Sequence, residues 1–152
     1  MTQYDEQPLG RMIYFLAQEI KNLAERVLAP YDLTLEQFLT LKALSRTSGM
    51  TQRQLGRTIN KNPANMTRIL DRLEAKFLIA RHQDPVDRRA YLIYLTDRGL
   101  ALRDQVIGVF DKFSTGVHAG LSKEMKRSTR KVLERMAANT EGMAAALKKD
   151  QK

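Results

Sequence analysis

Two helix-start signals standing close together constrain this chain more than anything else in it. Thr51-Gln52-Arg53-Gln54 has the Thr-x-x-Gln form in which each side chain satisfies a free backbone N–H of a first helical turn. Asn62-Pro63 is the second signal, an N-cap followed by the residue best suited to a first helical position. Leu55 and Ile59 recur at helical spacing before Asn60-Lys61-Asn62 breaks the pattern, so two helices must meet across a very short turn. The second of them divides into two faces. At about 100° per residue, Met66, Leu70, Leu73 and Phe77 share an arc of roughly 60° and read as core. Asn65, Arg68 and Arg72 share a similar arc roughly 140° away. Amide and guanidinium groups are the side chains that pair bidentately with adenine and guanine edges in a major groove, so this face reads as base-contacting.

The flanking segments complete a pattern. Upstream, Met12, Ile13, Leu16, Ile20, Leu23 and Val27 recur at three- and four-residue steps over a helix from Leu9 to about Leu28, which Pro30 stops. Leu35, Phe38, Leu41 and Leu44 form the stripe of a shorter helix capped by Thr34 and ended near Ser48-Gly49. Downstream, Leu78 to His82 and Ala90 to Leu95 are short runs rich in β-branched and aromatic residues. The polar segment between them ends in Arg88-Arg89, so a hairpin should project two cations in a wing suited to a narrow, electronegative minor groove. Thr96 caps a long helix carrying Leu102, Val106, Val109, Phe110, Phe113 and Val117, and after Gly120 the periodicity restarts through Leu121, Met125, Val132, Leu133, Met136, Met143 and Leu147. The fold class expected is mainly α with a small β-hairpin wing, a winged helix-turn-helix between terminal helices. Those helices offer more apolar surface than so small a body buries, which implies a homodimer. Residues 1–33 and 101–152 are assigned to dimerisation and 34–100 to DNA binding, and the Lys148 to Lys152 tail is expected to fray.

Charge points the same way. Residues 46–103 hold 12 basic and 5 acidic side chains, whereas residues 1–45 hold 4 and 6, so the cationic excess sits where the two helices and the wing lie. The 152 residues contain no cysteine, which excludes disulfides, thiolate metal sites and thiol redox sensing. The two histidines, His82 and His118, fall on different elements, no glycine-rich phosphate loop is present, and no acid–base pair converges. No enzyme, metal site or cofactor is therefore expected. No apolar run reaches membrane-spanning length and Met1 to Glu6 lacks the layout of a signal peptide, so a cytoplasmic protein with no membrane partner is expected.

Met66 to Glu74, Asp87-Arg88-Arg89-Ala90 and Leu95-Thr96-Asp97-Arg98-Gly99 together resemble the multiple antibiotic resistance regulator (MarR/SlyA) family over nearly the whole chain. The resemblance implies a dimeric transcriptional regulator, usually a repressor, that binds double-stranded DNA at a pseudo-palindromic operator and is released by a small effector such as an aromatic acid. Carried across by position, Asn65, Thr67, Arg68 and Arg72 would face the major groove, and Arg88 or Arg89 would enter the minor groove with Asp87 orienting one of them. Thr51, Gln52, Arg53, Lys61 and Asn62 complete the DNA-facing set, and Arg11 and Tyr14 are candidate effector contacts offering a cation and a phenol. One departure stands out: where the family commonly has glycine after the recognition helix this chain has Phe77, so the turn into the wing is expected to differ. The alternative is a basic dimer that coats DNA or an anionic surface with little sequence preference, for which charge alone speaks.

Overall fold

The computed structural model describes residues 8–45 and 47–149; Met1 to Gln7, Arg46 and Asp150 to Lys152 lie outside the described residues. The chain divides into two compact units, one ending at Val117 and the other starting at His118.

In the first unit, α1 (Leu9–Leu28) passes through a single 3₁₀ turn (Ala29–Tyr31) into α2 (Leu35–Ala43). Thr34 caps α2 in a reciprocal box with Gln37, an arrangement its Thr-x-x-Gln spacing matches. The helix stops at Ala43, short of Ser48-Gly49, because Leu44 turns into extended backbone and buries its side chain. A strand that sequence periodicity could not reveal follows: β1 (Met50–Thr51) is two residues long, and Thr51 is both its end and the N-cap of α3 (Gln52–Thr58). After α4 (Pro63–Ala75), the hairpin of β2 (Ile79–Gln83) and β3 (Tyr91–Leu95) pairs in antiparallel register, with Ile79 opposite Leu95 and Gln83 opposite Tyr91. β1 adds to the other edge of β3, giving the order β1-β3-β2. α5 (Asp97–Val117) closes the unit.

The core gathers Leu28, Phe38, Leu41, Leu55, Met66, Leu70, Leu73, Leu78, Ile93 and Val106, all at most 2% exposed. Thus α4 presents Met66, Leu70 and Leu73 inward as its periodicity requires, but not Phe77, which is 71% exposed. The helix has already ended. Phe77 sits past the Lys76 cap with φ 58°, its N–H donating to Glu74 O at 2.8 Å while Leu78 N–H reaches Leu73 O at 3.0 Å. These paired bonds form the glycine-type helix stop, and Leu73 and Leu78 on either side of it are both buried in the same core. The turn into the wing is therefore retained, and Phe77 adopts a left-handed conformation usually left to glycine.

The start of α5 locks against this turn. Thr96 Oγ1 donates to Phe77 O at 2.7 Å and accepts the Gly99 N–H at 3.0 Å, so one hydroxyl caps α5 and ties it to the end of α4. A Cβ on Gly99 would lie 1.9 Å from Leu78 O, an approach only glycine permits. The Leu-Thr-x-x-Gly run is thus the joint between the wing, the end of α4 and α5.

The second unit contains α6 (Lys123–Lys149), whose first turn is capped by the Ser122 hydroxyl accepting Met125 N–H at 3.1 Å. Met125, Val132, Leu133, Met143 and Leu147 are exposed along it. Lys148 and Lys149 are still helical.

Candidate nucleic-acid interface

The turn joining α3 to α4 is set by two residues. Asn60 takes φ 54°, a conformation asparagine tolerates better than most, and Lys61 N–H returns to Gly56 O at 2.8 Å. A Cβ on Gly56 would stand 2.8 Å from Lys61 O, so glycine lets the turn fold back onto α3. Asn62 Oδ1 then accepts Asn65 N–H at 2.9 Å to cap α4 behind Pro63.

Several residues assigned to DNA from sequence have work inside the motif. Thr51 Oγ1 accepts Gln54 N–H at 3.2 Å, and Thr51 N–H is returned to Gln54 Oε1 at 2.8 Å. Gln52 Nε2 donates to Thr67 Oγ1 at 2.8 Å and Pro63 O at 3.1 Å, bracing α3 on the first turn of α4. Thr67 passes its own proton to Pro63 O at 3.0 Å. Arg53, Asn65, Arg68 and Arg72 are exposed, and none of the four side chains has a hydrogen-bond or ion-pair partner among the described residues. Asn65, Arg68 and Arg72 line a cleft of about 310 Å³ between α4 and the start of α2, whose other walls include Glu36, Gln37 and Lys61.

Glu36 is the sole carboxylate lining that cleft among the described residues. Its Oε1 lies 3.1 Å from Lys21 Nζ of α1 and 3.4 Å from Lys61 Nζ of the turn. Burial works to raise its pKa. The N–H of its own backbone, the Lys21 hydrogen bond and the charges of Lys21 and Lys61 outweigh that, holding the carboxyl below its ordinary 4.5.

The wing is held both to itself and to α4. At its tip, Asp84 Oδ1 accepts Val86 N–H at 2.8 Å, Asp87 Oδ1 accepts Arg89 N–H at 3.0 Å, and Gln83 Nε2 donates to Arg88 O at 2.7 Å. Asp87 therefore shapes the backbone that carries the arginines and makes no ion pair with either guanidinium among the described residues. Arg88 and Arg89 are both exposed. At the base, Arg81 of β2 forks onto α4, with Nη2 2.7 Å from Asp71 Oδ1 and Nη1 paired with Glu74. Sequence reading passed over Arg81 and Glu36 because both partnerships join residues on separate elements, for which no fixed spacing exists.

The effector candidates lie elsewhere. Arg11 stands 5.5 Å from the Phe15 ring centroid and lines a groove on α1 with Met12, Phe15 and Leu16. Tyr14 packs edge-on to Phe15 and accepts Gln18 Nε2 at 3.4 Å, outside the lining of that groove. His82 packs edge-on to Tyr94, and His118 belongs to the other unit. No helix among the described residues is long and apolar enough to cross a membrane.

Residues 33–91 match the MarR family model. The multiple antibiotic resistance protein MarR of Salmonella typhimurium is 36% identical over 98 residues, covering 64% of this chain and 68% of that protein. An HTH-type transcriptional repressor of Mycobacterium tuberculosis is 28% identical over 135 residues, covering 89% and 97%. Among solved structures, the S. aureus MepR–DNA complex aligns with a TM-score of 0.82 at 27% identity, covering 88% of this chain and 99% of that one. A mutant of E. coli MarR complexed with operator DNA aligns at 0.78 and 26%, covering 90% and 99%. With these likenesses beside its own winged helix and sequence signals, the chain belongs to the MarR family of DNA-binding transcriptional regulators.

Proposed function

We propose that the chain is a sequence-specific repressor, acting in the cytoplasm as a homodimer on a pseudo-palindromic operator. The observation that carries this reading is the exposed Asn65, Arg68 and Arg72 face of α4, with the Arg88-Arg89 tip on a wing braced to the same helix by Arg81. α4 is the base-reading element and the wing the minor-groove element. Arg53, Lys61 and the turn around Asn62 supply phosphate contacts, while Thr51, Gln52 and Thr67 hold the reading helix in place and Asp87 shapes the wing. Exposed Phe15, Leu16 and Leu23 on α1, and Met125, Val132 and Met143 on α6, support burial against a second copy, with 1–33 and 101–152 serving dimerisation.

Relatives solved on DNA, including one on its operator, support the same reading. A small effector, an aromatic acid reaching Arg11 and Tyr14, would release the operator by binding the free dimer more tightly than the DNA-bound one. Footprinting on the DNA upstream of the gene tests the assignment. Two related half-sites centred about 10 bp apart are expected, with affinity at least about 10³ above random duplex. Protection that follows salt but not sequence would identify a non-specific basic dimer instead.

A further inference from the structure

We infer that Glu36 sets the protein's discrimination between operator and random DNA, by holding Lys61 out of reach of phosphates until a correctly seated duplex displaces it. The inference rests on the DNA-binding reading above. Phosphates repel a carboxylate, yet Glu36 lines the cleft formed by Asn65, Arg68 and Arg72 and faces Lys61, a proposed phosphate contact, at 3.4 Å. It is firmly placed. Its side chain is 20% exposed, Lys21 holds the same oxygen at 3.1 Å, and α2 is capped independently by Thr34 and Gln37. Glu36 also takes its own backbone N–H in the first turn of α2, but the helix start does not depend on it, and the two lysines it gathers from α1 and the turn lie outside that role.

The pairing divides two kinds of complex. A pair this accessible is worth only about 0.2–1 kcal/mol, so a phosphate fixed beside Lys61 by a seated recognition helix exchanges with Glu36 at small cost. In a loose, hydrated complex no phosphate is fixed there, and Lys61 stays on Glu36. Sequence-blind binding is thereby deprived of a cation that operator binding uses.

Glu36→Gln keeps the shape and removes the charge. Equilibrium binding is measured from 50 to 200 mM salt on a random duplex and on the duplex the protein selects from a randomised pool. For the variant, random-duplex affinity should rise about fivefold near 0.15 M salt and its salt slope steepen by about 0.9, the increment of one released counterion. Affinity for the selected duplex should rise no more than about twofold at unchanged slope. Lys61→Gln in the natural background should weaken the selected duplex about fivefold and leave random DNA nearly untouched, and in the Glu36→Gln background it should cancel the random-duplex gain. Equal gains on both duplexes, an unchanged random-duplex slope, or no cancellation would overturn the inference. If Glu36→Gln failed to fold, the contrast between duplexes in Lys61→Gln alone decides the matter. A natural protein that selects no duplex from the pool would sink the DNA-binding reading itself, a separate result from failure of the Glu36 variant.

Discussion

Phe77 carries two costs at once, a left-handed backbone and a ring left mostly in water. For a residue with a Cβ the first amounts to about 1–2 kcal/mol, whereas glycine brings extra chain entropy that returns part of it. Phe77→Gly should therefore stabilise the protein by about 0.5–1 kcal/mol in urea unfolding, and Phe77→Ala, which keeps the Cβ, should not. A loss of stability with glycine would mean that the exposed ring makes a contact worth more than the strain. Glu36 supplies a residue-scale prediction in pH. Its carboxyl is held below 4.5 in the folded chain, so its contribution is fully present above that value and is lost as pH falls through the lowered folded value. Glu36→Gln should melt at a lower temperature than the natural protein at pH 7, and the two melting temperatures should converge as pH falls below the lowered folded value. A gap that persists there would show that the pair's charge is not what stabilises.

Among the elements, legibility followed the range of the interaction. The boundaries of α1, the Thr51 and Asn62 caps and the hairpin are stated in sequence because capping and periodicity act within a few residues. β1 has no sequence signature because two residues cannot display an alternation, and helical periodicity puts Phe77 on the core face because a 100° wheel continues past a helix that has stopped. At the candidate interface, the exposed Asn65, Arg68 and Arg72 face of α4 follows from periodicity, whereas the 2.8 Å bond from Gln52 to Thr67 joins two helices at a separation no local pattern states. The joint formed by Thr96 and Gly99 yields an element-scale test. A methyl on Gly99 would meet backbone at 1.9 Å, so Gly99→Ala should cost about 3 kcal/mol or more, measured by denaturant unfolding. Thr96→Val should cost about 1–2 kcal/mol through loss of the cap and the Phe77 tie. Near-neutral values would mean that α5 sits further from the turn than described.

At the scale of the molecule, the proposed homodimer would cover the apolar side chains left exposed on α1. Leu16→Lys places a charge on that face while leaving the core of the first unit untouched, since Leu16 is 58% exposed. Analytical ultracentrifugation should then show dissociation at concentrations where the natural protein is dimeric, with helicity retained, and operator binding should weaken at least about tenfold because two half-sites no longer act together. The Arg81 fork has a consequence for the duplex. Because β2 is pinned at its base to α4 through Asp71 and Glu74, helix and wing would, on the proposed DNA-binding reading, act together as a caliper, and the DNA would yield to be measured. Operators would then be ranked partly by how readily the flank beneath the wing narrows. Replacing a stiff A-tract there with a G·C-rich segment should weaken binding by the cost of deformation, without the loss of a single base contact.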